Sequence, residues 1–501
     1  MISKIYSAIP YGYEGYLVEV EGTTNRGLPS FNIVGMADRT INESRERVKS
    51  ALLNSSFSFP DKRITINLAP ADLPKDGSYL DLPIALSVLV SSSQLQQKDV
   101  EKRIFVGELS LNGNLRPIKG IINIVEAAKK RGFKEIYLPL KNLEQASLIQ
   151  GVKLFGVKNL QQLFLHLKNE SLIEPTKNVV KKTETDEEGP FLDHIRGQAI
   201  AKRAMAIAIA GHHNILISGP PGAGKTLLAK AAANLLPDLS PKEQIAITKI
   251  QSIANVSTEI ATKRPFRAPH HTASSVSIIG GGTNALPGEI SLAHYGVLFL
   301  DEIPEYPRSV LEALRQPLED KKISISRASR KTTYPADFML IATMNPCPCG
   351  YAGDPTHECK CSSNQIENYN KKLSGPLFDR IDMYVEVQKV DNADLLKNED
   401  TGTKEHDVVK NTIKEAVDRQ HLRYKKDGFY NSSLSSHQVS TLLNLSKSAE
   451  QFLYNASEKL NLSARSYFKI IKVAQTIADL EGADGITEAH ISEALSYRKR
   501  R

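Results

Sequence analysis

At 501 residues the chain is long enough for about three domains, and its 41% hydrophobic and 24% charged residues are ordinary for a globular protein. No apolar run approaches the ~18 residues needed to cross a bilayer, and the first residues lack a cleavable signal pattern. We therefore expect a cytoplasmic protein with no membrane partner. The formal net charge of +8 permits a polyanionic partner without requiring one.

The first 168 residues have the pattern of a mixed α/β domain. Strand-like segments lie at 16–22 and 63–70, and helical patterns lie near 41–54 and 121–131. No catalytic motif stands out among them on physical grounds. Residues 169–190 are polar and charged with almost no apolar periodicity, which predicts a linker.

A phosphate-binding motif follows at 214–226, NILISGPPGAGKT. An apolar strand runs into a glycine-rich turn, and a helix is predicted at 227–236. Backbone N–H groups of such a turn can surround a phosphate, and the helix start adds partial positive charge. The ATP cradle comprises Gly219, Pro220, Pro221, Gly222, Ala223 and Gly224, with Lys225 for the β- and γ-phosphates and Thr226 for Mg²⁺. A purely structural turn is the alternative, and the strand–loop–helix context argues against it.

Two further apolar strands predict the groups that hydrolyse ATP. The strand at 296–303 contains Asp301, which can complete the Mg²⁺ shell, and Glu302, which can orient or deprotonate the attacking water. The strand at 338–344 leads into Asn345, which is suited to positioning that water. The carboxyl ends of parallel strands meet at one edge of a sheet, so these groups predict a P-loop ATPase. Two acids that merely cap the following helix are the alternative.

The remainder of the chain is predicted to be helical. The ATPase core spans 191–390, and a second polar linker at 391–407 leads to a helical region at 408–501. Amphipathic helices within it are predicted at 412–420, 448–460 and 464–481. The chain ends Arg-Lys-Arg-Arg, a cluster that is more often a solvated end than a polyanion site.

All four cysteines lie within the segment 347–361 in the pattern C-x-C-x9-C-x-C. They are Cys347, Cys349, Cys359 and Cys361, with His357 nearby. A cytosolic ATPase rarely keeps disulfides, so the cluster favours a Zn²⁺ site with four thiolate ligands. The spacing departs from the usual C-x₂₋₄-C, and reduced thiols in a loop are the alternative. A metal here would brace the loop that leaves the strand before Asn345.

Eight stretches of the sequence have a specific family resemblance. They are RGQAIAKRA (196–204), GPPGAGKT (219–226), RPFRAPHHT (264–272), PGEISLAHYGVLFLDEIPEY (287–306), LRQPLED (314–320), NPCPCGY (345–351), LSGPLFDRID (373–382) and LSARSYFKIIKVAQTIADLEG (462–482). On these motifs the chain resembles the ComM/YifB family of magnesium-chelatase-like AAA+ ATPases over essentially its full length. The resemblance implies an α/β AAA+ core with a parallel sheet, a C-terminal helical lid and a homo-oligomeric ring, a hexamer.

The resemblance also implies roles for single residues. Asn345 matches sensor 1, Arg380 resembles the arginine finger that reaches a neighbouring subunit's γ-phosphate, and Arg465 matches the sensor 2 arginine of the lid. An arginine supplied by a neighbour can offset charge in the transition state, which agrees with these roles. Without the family match, each arginine would be better explained as a surface ion pair.

Two segments near 264–282 and 323–334 resemble the helix-2 insertion and presensor-1 hairpin of this clade, which point into the ring pore. With their flanks they contain Arg264, Arg267, Lys321, Lys322, Arg327, Arg330 and Lys331. This basic charge is enough to follow a nucleic-acid backbone, so branched or single-stranded DNA in the pore is the expected partner.

The N-terminal region resembles the proteolytic domain of Lon, a fold of the ribosomal S5 domain 2 type, at 73–86 and 106–132. Lon-type proteases use a serine and a lysine. Alignment on the shared KDG places Tyr79 at the serine and Ile122 at the lysine. Ser78 and Lys119 cannot be moved into place without breaking the matching glycines. We therefore expect an inactive protease domain.

Three function classes follow from these observations. The leading one is an ATP-driven DNA motor, a helicase-like branch-migration factor acting in recombination and natural transformation. The second is a chelatase- or MoxR-type ATPase that remodels proteins. Against this second class, the sequence shows no metal-ion-dependent adhesion domain and no acidic linker of the kind that the larger chelatase subunit carries. That larger subunit could, however, be a separate chain. The third is an ATP-dependent protease, which Tyr79 and Ile122 disfavour.

Overall fold

The computed structural model describes residues 2–35, 39–73, 75, 78–176, 189–257, 259–282, 285–327, 330–354, 357–389 and 405–499. The chain divides into two compact units. The first unit comprises Met1–Glu184 and Gln244–Ala261, and the second comprises Thr185–Glu243 and Thr262–Arg501. Among the described helices, none combines the length and apolar character that crossing a bilayer requires.

The first unit is built on a seven-stranded sheet in the order β3-β4-β2-β1-β5-β8-β9. These strands, with the short pair β6 and β7, are β1 Ile2–Tyr11, β2 Glu14–Asn25, β3 Ser30–Val34, β4 Arg63–Ala69, β5 Arg103–Phe105, β6 Glu108–Leu109, β7 Leu115–Arg116, β8 Glu135–Pro139 and β9 Lys153–Val157. The helices are Arg39–Asn54, Asp81–Ser91, Ile121–Lys130, Leu143–Ala146 and Leu160–Leu167. The predicted strands and helices of this region therefore exist, with ends shifted by a few residues.

The two positions that replace the Lon serine and lysine lie in the interior of the first unit. Ile122 is fully buried in an apolar cluster beneath the sheet, and the half-buried Tyr79 contacts this cluster and a second one. Ser78 donates a hydrogen bond to the Glu108 carboxylate, while Lys119 is exposed. Tyr79 and Ile122 therefore serve as packing residues of this domain.

The segment Gln244–Ala261 lies within the span assigned from sequence to the ATPase core, yet it packs in the first unit. The Nζ atom of Lys249 lies 2.7 Å from a carboxylate oxygen of Glu126 and 4.0 Å from the ring centroid of Tyr13. The N–H of Gly120 donates to Ser252 Oγ over 2.9 Å. Nothing in the sequence pattern pointed to these contacts, because the partners lie more than a hundred residues apart.

The second unit contains a five-stranded parallel sheet in the order β11-β14-β17-β10-β18. Its strands are β10 Ile215–Ser218, β11 Phe266–Arg267, β14 Val297–Leu300, β17 Met339–Met344 and β18 Met383–Glu386. The core helices are Ala199–Gly211, Lys225–Leu235, Ser275–Ile279, Glu289–Leu292, Arg308–Ala313, Arg315–Asp320, Ser363–Lys371 and Gly375–Phe378, and the helix Pro241–Ala254 starts in this unit and continues in the first. The three central strands are buried throughout, as expected for a sheet covered by helices on both faces.

Two small hairpins extend the second unit. They pair β12 Gly280–Gly281 with β13 Leu286–Pro287, and β15 Lys322–Arg327 with β16 Arg330–Pro335. The second hairpin covers the segment that resembles the presensor-1 hairpin, and the first begins within the segment that resembles the helix-2 insertion and ends after it. The hairpin tips at 283–284 and 328–329 lie outside the described residues.

The C-terminal region is helical, as predicted. Its helices are Glu405–Tyr424, Ser436–Leu442, Lys447–Lys459, Ala464–Leu480 and Glu488–Ser496. Asp479, whose side chain is fully buried, accepts hydrogen bonds from Arg423, Asn431 and Gln475 and so ties three segments together. Of the predicted linkers, residues 177–188 and 390–404 lie outside the described residues. Thr176 donates to the carbonyl of Leu154, so 169–176 belong to the first unit.

Candidate functional site

The carboxyl ends of β10, β14 and β17 meet at one edge of the parallel sheet. Ser218 of β10 lies opposite Met344 of β17, and Leu300 of β14 lies opposite Ala342. The residues that follow these strands are the P-loop, the acidic pair and Asn345. The structure therefore brings together the three groups that the sequence predicted to converge.

The P-loop turns tightly into the helix Lys225–Leu235. Gly222 and Gly224 have φ values of +78° and +81°, which suit glycine, and a Cβ at either position would meet nothing within 4 Å. Their open faces lie at the start of an eleven-residue helix, where backbone N–H groups and the helix dipole attract anions. This cradle fits the phosphates of a nucleotide.

Lys225 occupies the centre of the site. Its Nζ atom donates to the carbonyls of Gly219 (2.6 Å) and Pro220 (2.9 Å) and to Asn345 Oδ1 (3.0 Å). The residue is only 8% exposed, and burial lowers the pKa of the Lys225 ammonium. A phosphate oxygen would offer this desolvated cation an anionic partner in place of neutral carbonyls.

A chain of hydroxyl groups fixes the two acids. Thr226 Oγ1 donates to Asp301 Oδ2 over 3.0 Å, and Thr343 Oγ1 donates to the other oxygen of Asp301. The backbone N–H of Glu302 donates to the same Thr343 hydroxyl over 3.0 Å. Thr226 and Asp301 thus form an oxygen pair of the kind that Mg²⁺ prefers.

Thr343 is a candidate site residue that the sequence analysis missed. It is fully buried in an otherwise apolar strand, where a hydroxyl needs a partner. That polar interruption two residues before Asn345 was the available signal. Glu302, which Thr343 helps to hold, has a left-handed backbone with φ +50°, a conformation that is uncommon outside glycine and found at active sites.

Arg380 and Arg465 lie at the opposite edge of the sheet. Both line a cavity of about 590 Å³ whose wall includes Asn214, Phe338 and Asp382, the residues just before β10, β17 and β18. A four-residue strand spans about 13 Å, so this cavity is separated from the P-loop by the depth of the sheet. The structure brings the two arginines together and places neither at the P-loop edge of its own chain.

The contacts of Arg380 are made within the second unit. Its Nε donates to the carbonyl of Arg315 over 3.0 Å, one terminal nitrogen donates to that of Pro376 over 2.6 Å, and the other pairs with Glu319. Glu319 is half-exposed, so this pair can exchange for another anion at little cost.

The four cysteine sulfurs lie within 4.8 Å of one another. Cys347 Sγ lies 3.3 Å from Cys349 Sγ and 3.7 Å from Cys359 Sγ, and the latter two are 3.6 Å apart. Four thiolates around a tetrahedral Zn²⁺ would be separated by about 3.8 Å, given Zn–S bonds of about 2.3 Å. The cluster therefore fits a metal ion, as the grouping of four cysteines in one segment predicted.

Several basic residues that were predicted to face a nucleic acid have structural partners instead. Arg264 is buried and pairs with Glu243 over 2.8 Å, and Arg267 pairs with Glu289 over 2.6 Å. Lys321 pairs with Asp337 over 3.1 Å. The expectation was wrong for Arg264, because its side chain is 6% exposed and is held by Glu243 and by the carbonyls of Pro237 and Tyr295. Lys322 and Lys331 on the β15–β16 hairpin are exposed, and the side chains of Arg327 and Arg330 lie outside the described residues.

Comparisons with known proteins cover most of the chain. Residues 191–395 match the family "Magnesium chelatase, subunit ChlI", 20–142 match "Subunit ChlI of Mg-chelatase" and 403–498 match "Magnesium chelatase, subunit ChlI C-terminal". The chain is 41% identical to the competence protein ComM of Haemophilus influenzae, over 99% of this chain and 97% of that protein. It is 39% identical to the uncharacterized protein YifB of Escherichia coli, with the same coverage.

A shorter match reaches Lon protease 2 of Bacillus subtilis. It is 29% identical over 175 residues, which is 32% of this chain and 30% of that protein. The full-length matches, the three chelatase-type regions and the converging P-loop, acidic pair and Asn345 all agree. The chain belongs to the ComM/YifB family of magnesium-chelatase-like AAA+ proteins.

Proposed function

We propose that this protein is an ATP-hydrolysing AAA+ motor that acts on branched or single-stranded DNA. The observation that supports ATP hydrolysis most strongly is the convergence of Lys225, Asp301, Glu302 and Asn345 at one sheet edge. Mg²⁺-bound ATP would supply the phosphoanhydride bond that breaks. Residues of the chain would bind the phosphates, hold the Mg²⁺ and activate the attacking water.

These residues divide the work of hydrolysis. Lys225 and the P-loop amides bind phosphate oxygens, and Thr226 with Asp301 would hold Mg²⁺. Glu302 accepts a proton from the attacking water, and its strained backbone is fixed by Thr343. Asn345 holds Lys225 on one side and can orient the water on the other.

Ring assembly would complete the site. Because Arg380 and Arg465 lie at the sheet edge away from their own P-loop, phosphate contact by either requires a neighbouring copy. A ring places the arginine edge of one chain against the P-loop edge of the next, and we propose a hexamer. This arrangement couples hydrolysis in one chain to the position of its neighbour.

The DNA substrate is proposed from two observations. The exposed Lys322 and Lys331 lie on a hairpin where phosphates could approach them, and the relative from Haemophilus influenzae is named a competence protein. Branch migration in recombination and natural transformation fits both. Protein remodelling of the chelatase or MoxR type is the alternative outcome of the test.

The test measures ATPase activity with four-way DNA, forked DNA or no DNA, and strand displacement on the same substrates. We expect stimulation by branched DNA, and Lys322→Ala/Lys331→Ala should lower it while basal activity stays unchanged. An ATPase rate that is the same with and without every DNA substrate would contradict the proposed DNA motor and favour protein remodelling. Digestion of casein would contradict the inactive protease domain.

We also propose Zn²⁺ as the metal of the four-cysteine cluster, at about one ion per chain. Its support is the close approach of the four sulfurs, which all lie within 4.8 Å of one another. Metal analysis of protein purified without chelator checks this proposal. Four freely titratable thiols and no zinc would overturn it.

A further inference from the structure

The segment 347–361 that contains the four cysteines, here called the thiol loop, is joined to the nucleotide site at three points. The first is its start. Asn345, whose Oδ1 lies 3.0 Å from Lys225 Nζ, precedes Cys347 by two residues, with Pro346 between them. A displacement of Cys347 is therefore transmitted directly to the partner of the phosphate-binding lysine.

The second point is Gly350, whose backbone rests on the P-loop. Gly350 has φ +87°, and a Cβ there would lie 2.7 Å from both Cδ and Cγ of Pro221. The turn that presents Gly350 is built on Cys347: the N–H of Gly350 donates to the Cys347 carbonyl, and the N–H of Ala352 donates to Cys347 Sγ. The buried Cys347 thus determines where the loop meets the P-loop.

The third point is the helix that follows the thiol loop. The helix Ser363–Lys371 begins two residues after Cys361, and Ser362 caps it through the N–H of Gln365. Tyr369 on this helix is buried, and its phenol lies beside the backbone of Asn345. Both ends of the thiol loop therefore lead to the neighbourhood of Asn345.

We propose that metal binding in the thiol loop is thermodynamically coupled to nucleotide binding in the P-loop. A metal that draws the four sulfurs into a tetrahedron fixes Cys347 and Cys361, and with them Gly350, Tyr369 and Asn345. The metal is then an effector of the ATP site and not only a brace of a surface loop. The coupling rests on the proposed zinc site and on the proposed ATP site.

Coupling between two sites is reciprocal, which gives two independent measurements. Full-length protein is compared as purified, after removal of zinc with a chelator and a reductant, and after reloading. The Kd of a non-hydrolysable ATP analogue should rise roughly tenfold on zinc removal and return on reloading, a factor typical of coupled sites. Saturating analogue should strengthen zinc retention against a competing chelator by the same factor.

A matched pair of variants separates coupling from general damage to the thiol loop. Gly350→Ala and Gly353→Ala both place a side chain at positive φ, but a Cβ at Gly353 would meet nothing within 4 Å. We expect Gly350→Ala to keep its zinc while it binds the analogue about tenfold more weakly. Gly353→Ala should match the natural protein in both respects.

Each outcome has a distinct meaning. Equal analogue Kd with and without zinc, or unchanged binding in Gly350→Ala, would overturn the coupling and leave the zinc site intact. Failure to bind any zinc would overturn the coupling together with the zinc assignment. Zinc-loaded protein that binds no analogue would overturn the coupling and the proposed ATPase together.

Discussion

At the scale of single residues, the site separates holding phosphate from activating water. Lys225→Ala removes the cation of the cradle, so we expect loss of nucleotide binding. Glu302→Gln keeps the shape of the side chain and removes its basicity, so binding should persist while turnover stops. Analogue binding and single-turnover hydrolysis distinguish the two variants. Near-normal turnover in Glu302→Gln would show that another group activates the water.

Thr343 gives a second prediction at this scale. Thr343→Val removes the hydroxyl that donates to Asp301 and accepts from the N–H of Glu302. Loss of such a supporting partner typically reduces activity about 10–100-fold, and we expect that drop in kcat with little change in nucleotide affinity. Thr343→Ser keeps the hydroxyl and should restore most of the rate. A similar kcat in Thr343→Val and Thr343→Ser would show that the Thr343 hydroxyl does not determine the rate of hydrolysis.

At the scale of elements, the sequence predicted a motif correctly where the spacing of its residues along the chain determines their position in the fold. The strand, turn and helix around Lys225 follow from local pattern, and parallel pairing brings Asp301 and Asn345 alongside. Arg264 was misjudged because Glu243 lies 21 residues earlier and meets it only in the folded unit. Charge along a sequence indicates a binding surface only if no tertiary partner neutralises it.

The helices Glu405–Tyr424 and Ala464–Leu480 provide a prediction about stability. Asp479→Ala leaves Arg423 without its buried partner, which should lower the free energy of unfolding by ~3–5 kcal/mol. Chemical denaturation followed by circular dichroism measures this loss. Glu367→Ala, which breaks an exposed pair with Lys371, is the control and should leave the midpoint unchanged. Equal midpoints for both variants would contradict the structural role of Asp479.

At the scale of the whole molecule, the position of Arg380 predicts activity shared between chains. Arg380→Ala should bind ATP but fail to hydrolyse it, with a loss of ~10³–10⁵ in rate, far more than a lost surface ion pair would cause. In a mixture of the two variants, an Arg380→Ala chain offers an intact P-loop and a neighbouring Lys225→Ala chain offers an intact Arg380. Mixed rings should therefore recover part of the ATPase activity. No recovery in demonstrably mixed oligomers would place the action of Arg380 within its own chain.

Acid should destabilise the second unit through the buried His213 and His294 and the half-buried His212. Burial lowers the pKa of His212, His213 and His294 to about 4 each, against about 6.5 in an unfolded chain. Between these values the unfolded chain takes up protons that the folded chain excludes. Their stabilising contribution is therefore present above pH ~6.5 and lost as the pH falls toward 4.

Thermal unfolding measured across that pH range checks the expectation. His213→Gln should flatten the decline, whereas the same change at the exposed His437 should leave the profile unaltered. A decline that both variants share equally with the natural protein would assign the acid sensitivity to other groups.

The segment Gln244–Ala261 has a consequence for how the protein can be divided. It lies between two parts of the second unit in sequence but packs in the first unit, where Lys249 meets Glu126 and where Ile245 and Ile260 lie against the apolar cluster. A fragment that starts after the first linker would expose these apolar side chains and remove Glu126, the ion-pair partner of Lys249. The two units therefore cannot be separated by a single cut in the chain. A lineage that replaced its N-terminal domain would have to replace this helix and loop in the same event, or inherit both together.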